Sequence, residues 1–240
     1  MQIVTRKSEV KEYLSKCISV YHLKGLSACV KEVEKQILIK KVKFPLLEFC
    51  GDFFYQNIAT QEHIEFCDRI EQLKAEGGNV LLGKILQNRL SEHYEESLHK
   101  ATEYISKADI WYVCDIIGER VFGISLLNEP IKTIPYIKKL SSHESNCVIR
   151  SLGAGIHYSI KKGLDKKNAK FLFQILLSRA NSKDKEIRQG IGWAAKTTAK
   201  FHPEIIERFQ KEIQNKETVS NWFRKKIDIG LKRNLYAKGS

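Results

Sequence analysis

Two stretches in the second half of the chain decide the fold: Cys147–Gly163, CVIRSLGAGIHYSIKKG, and Lys185–Phe201, KEIRQGIGWAAKTTAKF. They align with Ile149-Arg150 over Ile187-Arg188, an offset of 38 residues. The same step backward from Ile149 lands on Trp111, inside a third stretch, Ala108–Gly118, ADIWYVCDIIG. Apolar residues recur three and four apart in these stretches, which is the period of a helix with one buried face. An echo every 35–45 residues, built from helix pairs, is the signature of HEAT-like repeats. Gly153, Gly155, Gly190 and Gly192 fall inside the expected helices, where each costs about 1 kcal/mol relative to alanine. Close helix packing, or close approach of a ligand, would offset that cost.

Outward from these stretches the rest of the chain also reads as helix. Helices are expected at roughly 8–23, 26–40, 45–56, 60–75, 78–89, 91–106, 109–124, 130–139, 145–161, 166–179, 184–200, 203–214 and 218–233. Breaks fall at Pro45, Gly77-Gly78, Asn128-Glu129-Pro130, Ser141-Ser142, Lys162-Gly163, Asn181-Ser182 and His202-Pro203. Ser91 and Asp184 suit helix N-caps, and Pro203 suits a first helical position. The expected fold is all-α: an α-solenoid of HEAT-like helical repeats, curved, with a basic concave face. One domain spans 1–240, with helices of their own character over 1–79 and the repeats carrying the site over 80–240.

The chain is 42% hydrophobic and 29% charged, with only four prolines, which fits an ordinary globular protein. No run approaches the roughly 18 uncharged apolar residues of a membrane helix. The N-terminus, MQIVTRKSEVKEYL, lacks the apolar core of a secretion signal. Six well-separated cysteines without a CxxC read as reduced thiols. A cytoplasmic protein without membrane contact is therefore expected. The net charge of +13 is unevenly placed. Residues 1–120 hold 17 Lys/Arg and 18 Asp/Glu, whereas residues 121–240 hold 24 and 10. Such asymmetry points to a polyanionic partner, most often nucleic acid; a solvated basic surface is the plainer alternative.

Several chemistries fall away. Gly78–Lys84, GNVLLGK, matches GxxxxGK, but the next residue is Ile85 instead of the Ser/Thr that holds magnesium. Its interior is apolar and continues a helical pattern. His63 and Cys67 share a helix face, yet no second pair stands nearby at metal-ligand spacing. Neither a metal nor another cofactor is expected.

What remains is aromatic and acidic. Asp115 follows Trp111 by four residues, so indole and carboxylate lie on one helix face. For any one tryptophan, core packing is the ordinary reading, and Trp222 reads as the anchor of the last helix. Asp115 differs, because Cys114 and Ile116-Ile117 flank it and an unpaired carboxylate there is costly. Arg150, on the next repeat, is the natural counter-ion.

These residues resemble the HEAT-like-repeat alkylpurine DNA glycosylases, the AlkD family of DNA alkylation repair enzymes. The resemblance is best in IRQGIGWAAKTTAKFHPEII (187–206), where the family has a functional tryptophan after Ile-Gly. It is also good in SKADIWYVCDIIG (106–118), where the family has Trp-x-x-x-Asp, and weaker in VIRSLGAGI (148–156). Together these cover about residues 80–215. The family's GI-x-x-P-x-R-type segment has its nearest counterpart in LIKKVKFPLLEF (38–49), a departure in a DNA-contacting helix.

The resemblance implies that Asp115 is the catalytic carboxylate and that Trp111 and Trp193 are aromatic walls. It places Arg150 near the aspartate and the DNA backbone, and Lys196 at a phosphate-contacting position. Arg188 and Lys200 join these as DNA-binding candidates. The implied substrate is duplex DNA containing N3- or N7-alkylated purines, acted on by a monomer, in the family's manner with the base still stacked. An alkylated purine is cationic and leaves readily, and a carboxylate can stabilise the oxocarbenium-like sugar. Indole faces attract a cation by about 0.5–2 kcal/mol. Two other readings remain open: a weakly active or non-catalytic DNA-binding relative, and an α-solenoid scaffold for protein or RNA.

Overall fold

The computed structural model describes residues 2–238, with side chains through residue 234. Two compact units divide between Ala101 and Thr102. The first contains α1 (Lys7–Lys24), α2 (Leu26–Val33), α3 (Phe44–Asn57), α4 (His63–Gln72), α5 (Glu76–Arg89) and the start of α6 (Tyr94–Ala108). Helices α3 and α5 pack together, and α4 leans on α5. Leu14, Phe54, Phe66, Ile70 and Leu81 are fully enclosed there.

The second unit contains α7 (Trp111–Ile117), α8 (Ile124–Asn128), α9 (Pro130–Leu140), α10 (Asn146–Lys161) and α11 (Lys166–Leu177). It continues with α12 (Lys185–Phe201), α13 (Pro203–Arg208), α14 (Gln210–Gln214) and α15 (Asn221–Lys238). Here α7 packs on α10, α10 on α12 and α12 on α15. Successive repeats thus lie side by side, and the fold is all-α, as an α-solenoid of helical repeats requires. Phe122, Phe173 and Phe223 fill its core with Val148, Leu152 and Ile191.

The mid-helix glycines exist for packing. A Cβ on Gly153 would stand 2.1 Å from the backbone of Gly190, and one on Gly190 would stand 2.3 Å from the Arg150 carbonyl oxygen. Only residues without a side chain let α10 and α12 approach this closely. Neighbouring repeats therefore meet backbone to backbone where Gly153 faces Gly190.

Most expected boundaries hold within a few residues, and the departures have local causes. Asp184 caps α12 by accepting from the Ile187 N–H at 3.0 Å, and Pro203 opens α13. Ser91 does not cap α6, which starts at Tyr94; its hydroxyl donates to the Asn88 carbonyl instead. The single helix expected over 109–124 is α7, a π-helical turn at Gly118–Gly123, and α8. A two-residue parallel bridge pairs β1 (Ile3–Val4) with β2 (Lys41–Val42), too short to leave an alternating pattern. The GNVLLGK stretch lies within α5 with both glycines buried, so it forms no phosphate loop.

Candidate active site

Trp111 opens α7 and is 57% exposed, an indole left in solvent where burial is the ordinary fate of its kind. One turn on, Asp115 meets Arg150 of α10 through a bidentate pair. The guanidinium Nε–H donates to Asp115 Oδ1 at 3.0 Å and Nη2–H to Oδ2 at 2.7 Å. Its third nitrogen, Nη1–H, donates to Glu186 Oε2 at 2.7 Å. The guanidinium carbon lies 5.5 Å from the Trp111 ring centroid. Side-chain exposures of 11% for Arg150, 19% for Asp115 and 28% for Glu186 put these charges in a sheltered setting. Shelter strengthens charge-assisted hydrogen bonds and raises the cost of breaking any one of them.

The thiols behind this cluster are inert. Cys114 donates to the Ile110 carbonyl at 3.3 Å, and burial pushes its pKa up. Burial likewise lifts Cys147 to about 11, helped by the carboxylate of Asp109 that its thiol faces. All six cysteines are free and buried, so none presents a thiolate.

Trp193 sits elsewhere on the α10–α12 seam. Its ring stacks on His157 at 4.0 Å with 25° between planes. His157 follows Arg150 by seven residues on α10, about 10 Å along the helix axis. The Thr197 hydroxyl donates to the Trp193 carbonyl at 3.0 Å, and its oxygen lies 2.6 Å from His157 Nδ1. One hydroxyl proton cannot serve both partners, so His157 carries its proton on Nδ1 and leaves Nε2 unprotonated. Burial, then the charges of Lys161 and Lys196, hold His157 down to about 4. Burial, then Arg233 and Lys226, also lower Lys196. A cleft of about 200 Å³ here is lined by His157, Trp193, Lys161, Lys196, Lys200 and Arg233. These four cations have no ion pair among the described residues.

The structure thus brings Trp111, Asp115 and Arg150 into one cluster, and Trp193, Lys196 and Lys200 into a second. Arg188 belongs to neither. Its guanidinium lies 5.8 Å from the ring of Trp222, whose Nε1–H donates to the Ser182 carbonyl and ties α15 to the loop before α12. Two partners were not singled out from sequence, Glu186 and His157. Each left only a faint signal, a polar residue on an otherwise apolar helix face within the repeating stretches. No group of three or more metal-ligating side chains occurs among the described residues. Nor is any described helix long and apolar enough to cross a membrane.

His157 makes stability pH-dependent. Its folded pKa of about 4 lies below the ordinary value of 6.5, so its contribution is complete above pH 6.5. It is lost as the pH falls toward 4, because the unfolded chain binds the proton first. Discounted for partial solvent screening, the loss is roughly 2 kcal/mol. Urea denaturation of wild type and His157→Gln across that range should show the slope in the first and a smaller one in the second. Parallel slopes would mean that another group carries the effect.

A stack of packed helix pairs places the chain, by its fold, among the all-α helical-repeat proteins. The chain is a member of the DNA alkylation repair enzyme family, whose model matches residues 52–226. That span takes in Trp111, Asp115, Arg150, Glu186 and Trp193 and reaches back into α3. No curated protein and no solved structure matches the chain. Membership gives it a function in DNA repair and DNA as its partner.

Proposed function

We propose that the protein is a DNA glycosylase that releases cationic N3- and N7-alkylpurines from duplex DNA, acting as a monomer without a cofactor. The observation that carries this reading is Asp115: a sheltered carboxylate fixed by Arg150, one helical turn from an exposed indole. Cleavage of the C1′–N bond sends its electron pair to the purine, which leaves neutral, and the positive charge moves to the sugar. A carboxylate held rigid before the reaction stabilises that charge without reorganising. Water then adds to C1′ and loses a proton, leaving an abasic site. The Trp111 face attracts the cationic base and the cationic sugar that replaces it. Trp193 is the second aromatic wall in this reading.

The 24 Lys/Arg of residues 121–240 would supply phosphate contacts along a curved basic face. Lys196 and Lys200, in the cleft beside Trp193, are the strongest candidates, with Arg188 further along the same helix. The decisive assay is release of 7-methylguanine or 3-methyladenine from methylated duplex DNA. Binding with a steep salt dependence but no release would leave a non-catalytic DNA-binding relative; absence of both would leave a scaffold. A lysine that neutralises one phosphate contributes about 1 to the slope of log K against log salt. Lys196→Gln is expected to lower the slope by that amount and to weaken binding equally across sequences. An unchanged slope in a salt titration would remove Lys196 from the interface.

A further inference from the structure

We propose that Glu186 is a positioning residue that tunes the Asp115–Arg150 pair to a cationic ligand, by giving the cluster a net charge of −1. This rests on the glycosylase reading of the same site. Asp115 and Arg150 alone are a neutral, bidentate pair, in which the guanidinium largely cancels the field of the carboxylate. Glu186 accepts from the remaining nitrogen of that guanidinium, Nη1, at 2.7 Å, so two carboxylates share one cation. The excess negative charge is sheltered, where charges interact more strongly than in open water.

The α10–α12 seam brings Glu186 there. Gly190 lets α12 settle against the backbone of Arg150, and Glu186 stands one turn earlier on the same helix. Capping does not account for it, since Asp184 already caps α12 with its side chain. An acidic residue in the first turn favours the helix dipole by a small amount, but that role does not require contact with Arg150. With both carboxylates in place, the guanidinium is held through all three of its nitrogens. It cannot swing away from Asp115 when a ligand enters, nor close over Asp115 from its free side.

Glu186→Gln tests this, because the amide oxygen can still accept from Nη1 while the cluster becomes neutral. The probes are two duplexes, each with one altered sugar: a cationic pyrrolidine mimic of the oxocarbenium ion, and a neutral tetrahydrofuran abasic mimic. Wild type should bind the pyrrolidine duplex more tightly. Glu186→Gln should lose on the order of tenfold of that preference, with tetrahydrofuran binding unchanged, and Glu186→Asp should retain part of it. A purely structural role would shift both affinities together and leave their ratio alone. If Asp115→Asn abolishes the preference while Glu186→Gln keeps it in full, the inference is overturned and the glycosylase reading stands. If wild type shows no preference and releases no base, both are overturned.

Discussion

Asp115→Asn is expected to reduce release of 7-methylguanine by on the order of 10²–10³-fold, the size seen when one preorganised electrostatic group is removed from an active site. The substitution keeps the shape and at least one acceptor for Arg150, but it removes the charge that would face the developing oxocarbenium ion. Glu186 remains on Nη1, so Arg150 is not left as an unpaired cation. Stability should therefore fall by no more than about 1–3 kcal/mol. Single-turnover release together with thermal unfolding separates the two effects. A variant that melts like wild type and releases base at the wild-type rate would remove Asp115 from the chemistry. A variant without activity and without a cooperative transition would show only that the ion pair holds the fold.

The second large effect is on stability. Gly153→Ala should cost about 3 kcal/mol or more, at the upper end of what overpacking costs. The new methyl would meet the carbonyl of Gly190 at 2.1 Å and the nitrogen of Ile191 at 2.7 Å. Those atoms belong to another helix and cannot rotate away as a side chain does. For a domain of this size such a loss lowers Tm by roughly 10 °C. Gly192→Ala is the contrast. Its methyl would meet Lys226 Cγ at 3.1 Å and the Trp222 ring edge at 3.3 Å. The flexible lysine can give way, and alanine gains about 1 kcal/mol of helix propensity over glycine, so the net change should lie within about 1 kcal/mol. Equal effects of the two substitutions on urea denaturation would refute the account of the α10–α12 seam as a backbone-to-backbone contact. Because Gly190 opposes Arg150, disruption of this seam should also disturb the site and lower activity in the surviving fraction.

The helices were legible because apolar spacing and punctuation are local, as Pro203 and Asp184 illustrate: each acts on its own helix end. The repeat was legible because Ile149-Arg150 recurs as Ile187-Arg188 on a second helix of the same apolar period. The π-helical turn after Asp115 was not, since its residues still show a helical period and the extra residue in the turn leaves no compositional trace.

For the site, helical spacing placed Trp111 and Asp115 on one face, and the cost of an unpaired carboxylate pointed to Arg150 as its partner. Both arguments run within a helix or between adjacent repeats. What only the tertiary structure decided is which polar groups the seam between α10 and α12 presses together. Glu186 reached Arg150, and His157 stacked under Trp193 with its proton fixed by Thr197, because the depth and rotation of that seam set those meetings. Sequence by itself determined the family, the all-α repeat and the Asp115–Arg150 pair; the partner of the third guanidinium nitrogen and the tautomer of His157 depend on distances that no spacing along one chain encodes.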